Sequence, residues 1–435
     1  MLETIKNAWK IVEIRKKILF TLFILLIFRI GSVLPVPFID SAAIVSSMNQ
    51  PGAGKEFFSY LSILTGGGLE YGAIFAMSVT PYINASIILQ LLTVAIPYLE
   101  RLSKEGEEGR KKIAQITRYA AVVLGLIQGV AYFFYLKNSG LLMPGIQTAG
   151  HKWFAGIVIV TAFTAGSALV MWLGEQIDVK GIGNGISMIL FAGILSRGPQ
   201  AFATLWAKAT DKNDPQVFPV IAIVVVFLLV IAFIVWMTRA ERRVPVQYAK
   251  RVVGRKQYGG QNSHIPFKVN MSGVMPIIFA SSILMLPTMI LSFQTYSGTE
   301  LTTFQKVLSL FSTQGVFYAI LYFFMIIGFA YFYAQIQYNP VEIANNIRKN
   351  GGSVPGIRPG KPTSDFFAKI LSRITLLGAL FLSVIAILPI FIGNVGGMNI
   401  SIGGTSVLIM VGVALDTVQN LESQMMMRHY KGFLD

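Results

Sequence analysis

The chain of 435 residues is 54% hydrophobic and 13% charged, about half the charged share usual in soluble proteins, and it carries a formal net charge of +16. That balance excludes one soluble domain of this length and marks a membrane protein. There is no cysteine, which excludes disulfide frameworks and thiolate metal sites, and His151, His264 and His429 lie far apart in the sequence, so no metal site is expected.

Windows of about 20 apolar residues, the length that spans a bilayer as a helix, fall near 18–36, 72–97, 118–136, 153–173, 182–205, 217–237, 270–292, 315–336, 370–392 and 403–421. The first is closed by Pro35-Val36-Pro37 and is followed by no A-x-A-like cleavage site, so it is expected to stay as a helix. The second and seventh spans echo one another. Val79-Thr80-Pro81-Tyr82-Ile83-Asn84-Ala85-Ser86 matches Val274-Met275-Pro276-Ile277-Ile278-Phe279-Ala280-Ser281 at valine, proline, isoleucine, alanine and serine, and the match reaches Leu89 and Leu284. Chance recurrence of short apolar words is the bland alternative, but proline is rare inside apolar helices. With five spans in each of the halves 1–205 and 206–435, the second repeat must enter from the opposite side, an inverted repeat. The expected fold class is therefore an all-α membrane protein, ten transmembrane helices in two inverted five-helix halves around a central pore.

With the N-terminus inside, 28 of the 36 Lys and Arg residues fall on cytoplasmic segments, which satisfies the positive-inside rule and leaves both termini in the cytoplasm. Arg29 and Arg197 sit toward the outer ends of their spans, where a long side chain can snorkel to the interface. No acid lies mid-membrane, which argues against an ion-coupled carrier of small solutes. Two inside loops, 238–269 and 337–369, are longer than topology requires. The first holds eight basic residues against Glu241, with the alternation of a short hairpin around Val244-Pro245-Val246-Gln247-Tyr248. Attraction to anionic lipids explains scattered lysines; length and turn-rich composition suggest docking of a large cytoplasmic partner.

The stretch Phe57-Phe58-Ser59-Tyr60-Leu61-Ser62-Ile63-Leu64-Thr65 is apolar, too short to span, and broken by Gly66-Gly67-Gly68. It reads as an interfacial piece on the outer side, or as a plug folded into a central cavity. Enzymatic signatures fail. Gly360-Lys361 would end a phosphate loop, but Pro355 stands where that loop needs glycine and Pro362 where it needs Ser or Thr. Gly181-Ile182-Gly183-Asn184-Gly185 fits a helix start with close packing better than dinucleotide binding. No enzyme and no cofactor are expected.

Words along nearly the whole chain resemble the SecY family of protein-conducting channels, the bacterial form closely. They are Arg15-Lys16-Lys17-Ile18-Leu19-Phe20-Thr21, the Pro81–Leu92 and Lys104–Ile113 stretches, Gly181–Ser187, Tyr248-Ala249-Lys250-Arg251, Ser272-Gly273-Val274-Met275-Pro276, Val354–Gly360 and Gly403-Gly404-Thr405-Ser406. The resemblance implies a central subunit in the bacterial inner membrane that passes unfolded secretory and membrane polypeptides through its middle. Hydrophobic segments would leave sideways between the second and seventh helices, past Ser86 and Ser282. It implies an aliphatic ring at the waist, matched by Val79, Ile83, Leu190, Ile278 and Ile409, with Ile186 a neighbouring candidate to Leu190. The plug would occupy 57–68, with Phe57, Phe58, Tyr60, Leu61, Ile63 and Leu64 as its apolar residues. Implied partners are SecE-like and SecG-like small membrane subunits, together with a SecA-like motor ATPase or the ribosome, which would dock through Arg251 and Arg358.

Overall fold

The computed structural model describes residues 6, 8–48, 65–138, 140–143, 145, 149–210, 217–248, 251–253, 256–258, 262–293, 311, 315–396 and 404–431. In chain order the helices of the first half are α1 (Val12–Gly31), α2 (Ser41–Met48), α3 (Thr80–Ala95), α4 (Pro97–Lys104), α5 (Glu107–Asn138), α6 (Ala149–Lys180), α7 (Gly185–Leu195) and α8 (Gly198–Ala209). Then come α9 (Val217–Arg239), β1 (Glu241–Tyr248), β2 (Arg251–Val253), β3 (Lys256–Tyr258), β4 (Asn262–Lys268) and α10 (Met275–Phe293). The chain ends with α11 (Val316–Gln337), α12 (Pro340–Lys349), β5 (Gly352–Ser353), α13 (Lys361–Gly396) and α14 (Gly404–Lys431).

Each of the ten apolar windows holds a helix or a broken pair. Among the described residues, six helical stretches are long and apolar enough to cross a membrane by length and composition alone, and seven if α3 and α4, bent by 101°, count as one span. Pro97 causes that bend. It forces Ile96 into an extended conformation and offers no N–H to continue the helix. The fifth window is interrupted at Ser196–Arg197, where Gly198-Pro199 restarts it as α8. α9 buries only Ile234 and Met237 although almost every residue in it is apolar, as a helix solvated by lipid does.

The chain divides into two compact units. The first comprises Met1–Gln216, Met285–Thr313 and Val413–Asp435. Its core gathers Tyr132, Phe133, Leu136, Ile159 and Phe163 of α5 and α6 with Val36, Ile39, Ile44, Leu69 and Met77. Small residues let these helices approach. A Cβ on Gly166 would lie 2.1 Å from the Ile74 carbonyl oxygen, and one on Gly185 would lie 2.0 Å from that of Gly174. The glycine-rich word before α7 is thus a packed helix start. Asn184 caps it by accepting from Ser187 N (3.0 Å), and Asp178 Oδ1 accepts from Gly185 N (2.7 Å).

The second unit comprises Val217–Leu284 and Gln314–Gly412. Here the two long loops fold together. β1 pairs antiparallel with β4 from Glu241↔Lys268 to Gln247↔Asn262, and on its other edge with β5 through Gln247↔Ser353 and Tyr248↔Gly352. Alternate residues of β1 face inward, so Val244 and Val246 join Phe267, Ile347, Val354 and Phe367 in one buried core. The hairpin read from the alternation is present. Its partnership with the second loop is not visible in the sequence, because β5 is only two residues long.

Candidate functional site

The segment between 65 and 79 is not helical, and the first unit straps it down along its length. Gly66 and Gly67 take φ values of +66° and +91° that start its first turn without steric cost. Val36 N donates to Gly72 O (2.9 Å), Ile74 N to Leu34 O (2.9 Å) and Phe75 N to Gly31 O (3.2 Å), while the Tyr132 hydroxyl donates to Leu69 O (3.0 Å). Gly31 is required for the last approach, since a Cβ there would lie 2.1 Å from the Phe75 ring, which stacks on Phe28 at 6.2 Å between centroids. The segment thereby delivers Val79, fully buried, to the first position before α3. Ile83 lies one turn further, half-buried, its N–H donating to Val79 O at 3.0 Å.

Leu190, on α7, is 5% exposed, whereas Ile186 one turn before it is half-buried and faces Gly174. Toward the start of α7 a polar notch of about 290 Å³ opens in the same unit, lined by Asn184, Ser187, Asp416, Thr417, Asn420 and Ser423. In the second unit Ile278 is half-buried one turn into α10, and Ile409 on α14 is 3% exposed. Val274 lies where a Cβ on Gly412 would be 3.6 Å from its methyl, so the beginnings of α10 and α14 pack together. Phe279 anchors α10 between Phe329 and Tyr333, edge-on to both. Ser86 of α3 and Ser282 of α10 are each half-buried. Val79, Ile83 and Leu190 thus belong to one unit and Ile278 and Ile409 to the other. Phe57, Phe58, Tyr60, Leu61, Ile63 and Leu64 lie outside the described residues.

Arg251 begins β2 and pairs in register with Tyr258 of β3. Arg358 is exposed on the turn after β5, where its carbonyl oxygen accepts from the Thr363 hydroxyl at 2.8 Å. Both loops that carry these arginines belong to the sheet and core around Val246 and Phe367.

The two outer arginines differ: Arg29 is exposed, whereas Arg197 is partly buried. Arg197 is 12% exposed at its side chain and pairs with Glu70. Arg29 Nη1 donates to Gly66 O (2.9 Å) and to Ser196 Oγ (3.1 Å). Glu70 is 127 positions from Arg197, and only the presence of two span-end arginines hinted that such a partner exists.

The profile of the family described as SecY matches residues 73–418. The chain is 42% identical to the protein translocase subunit SecY of Streptomyces coelicolor over 443 residues, covering all of both chains, and 41% identical to that of Mycobacterium tuberculosis over 446, again covering all of both. Among solved structures, a protein-conducting channel superposes with a TM-score of 0.62 at 17% identity, covering 94% of this chain and 92% of the other. Sec61 from a canine ribosome–channel complex gives 0.58 at 17% identity with the same coverage. These likenesses give the ten-helix channel fold, and the relatives give its role as a multi-pass membrane channel subunit and not an enzyme. The chain belongs to the SecY family.

Proposed function

We propose that the chain is the central pore of a general secretion translocase in a bacterial inner membrane, with both termini cytoplasmic and with halves meeting near 205. Unfolded polypeptides cross it, and their hydrophobic segments leave sideways between α3 and α10, past Ser86 and Ser282. The observation that carries this reading is the strapped 65–79 segment, which presents the aliphatic pair Val79 and Ile83 at a helix start without any charged neighbour in α3. With Leu190, Ile278 and Ile409 they form the constriction. An aliphatic ring repels water and ions by dewetting yet yields to a passing chain, because its walls are short, nonspecific side chains.

Nothing in this machinery supplies energy, so the driving force comes from outside. The two basic loops, folded into one body, support docking of a SecA-like motor or the ribosome through Arg251 and Arg358. Scattered lysines add attraction to anionic lipids. Sec61 and yeast Ssh1, two channels of the same fold, are seen bound to ribosomes. A SecE-like subunit clasps the halves, with a SecG-like subunit beside it. The apolar segment at 57–68 is the plug. Deleting it and measuring ion leak from vesicles tests the reading: a plugged channel leaks, whereas an unchanged resting seal contradicts it.

A further inference from the structure

Two arginines from different helices converge on one turn. Arg29 of α1 grips it by the backbone at Gly66 O, and Arg197, just past α7, grips it by the side chain of Glu70. Ser196 Oγ completes the contact, accepting from Arg29 and lying 3.4 Å from Gly66 O. The turn is shaped for this grip. A Cβ on Gly66 would lie 2.9 Å from Gly193 Cα, and one on Gly67 would lie 3.6 Å from the Arg197 guanidinium. Arg29 and Arg197 are the two basic residues assigned to the outer ends of spans, and the structure uses both on residues 66–70.

Stability alone does not explain this expenditure of charge. An ion pair held mostly out of water roughly offsets its own desolvation, and apolar residues of similar size would pack at least as well. A charged grip adds registry. It holds one arrangement and fails abruptly when either partner moves away.

We propose that Arg29, Glu70 and Arg197 are positioning residues for the resting seal: they clamp the 66–70 turn to the outer ends of α1 and α7, and opening the channel requires their release. The inference rests on the reading of the preceding apolar segment as the plug, whose chain runs directly into this turn.

The test uses the chain with its small membrane subunits in proteoliposomes and reads resting ion leak, export of a substrate with a defective signal sequence, and the thermal unfolding midpoint. Glu70→Gln and Arg197→Gln should each raise leak about tenfold and let the defective substrate through, because each leaves a charged or polar partner without its counterion. The swap Glu70→Arg with Arg197→Glu should return leak to within about twofold of the parent by restoring the pair. Should Glu70→Gln fail to fold, Arg197→Lys keeps the charge, loses the planar fork, and should give a smaller rise of the same sign. Parental leak and stringency in these variants, or a swap as leaky as the single variants, overturns the clamp. Deletion of 57–64, which leaves the clamped turn in place, runs beside them. A leaking deletion with tight single variants removes the clamp and keeps the plug, while a tight deletion removes both.

Discussion

Ser78 holds a backbone conformation that its own side chain opposes. Its φ is +48°, in the left-handed region, it is fully buried, and its hydroxyl finds no hydrogen-bond partner among the described residues. Both features cost energy, and both sit immediately before Val79. Replacement with glycine removes the strain and the buried hydroxyl but adds freedom to the unfolded chain, for a net gain of about 1–2 kcal/mol. Ser78→Gly should therefore raise the unfolding midpoint in detergent, and a lowered midpoint would mean that the hydroxyl is needed. At the ring itself, Ile83→Asn or Ile278→Asn should wet the constriction and raise resting leak, read as ion conductance across vesicles. Unchanged conductance in both would remove these residues from the ring. Val79, Ile83, Val274 and Ile278 stand out in the sequence because an aliphatic pair at i, i+4 flanks a proline twice. Ser78 does not stand out, since a positive φ at a non-glycine residue is imposed by tertiary straps such as Phe75 N to Gly31 O.

At the scale of elements, the echo between α3 and α10 and the joining of the two loops make separate demands. If α3 and α10 line one lateral seam, cysteines at Ser86 and Ser282 should form a disulfide in this otherwise cysteine-free chain, provided their Cα atoms approach within about 7 Å. Export should then stall and recover on reduction. A disulfide that leaves export at the parental rate would argue against a gate there. The loops demand that docking depend on shape as well as charge, because β1 is built between β4 and β5 and Arg358 lies on the turn that follows β5. Arg358→Lys keeps the charge that retains the loop inside, but loses the bidentate fork for carboxylate or phosphate. It should insert normally, bind the motor or ribosome about tenfold more weakly, and export more slowly. Equal affinity would reduce Arg358 to a topology signal. The β1 hairpin was legible from alternation at Val244 and Val246. The β1–β5 pairing was not, because two residues separated from β1 by a hundred positions carry no periodic signal.

Across the whole molecule, each of the ten apolar windows holds a helix or a broken pair, and six or seven of the helical stretches among the described residues are of membrane length. Their breaks at Ile96 and Ser196 were marked by Pro97 and Pro199, yet a 101° turn at one and a short interruption at the other reflect packing that no local signal records. In the proposed function a polypeptide passes the aliphatic residues Val79, Ile83, Leu190, Ile278 and Ile409. The direct measurement stalls a secretory polypeptide carrying one cysteine within the reconstituted complex, and scans single cysteines at Ile83, Ile278 and Leu228 for a disulfide to it. Leu228 is 59% exposed on α9, the helix with the least buried surface among the membrane-length helices. Crosslinks should form from positions 83 and 278 and none from 228. Crosslinking at 228 with none at 83 and 278 would place the path outside the ring and contradict that proposal.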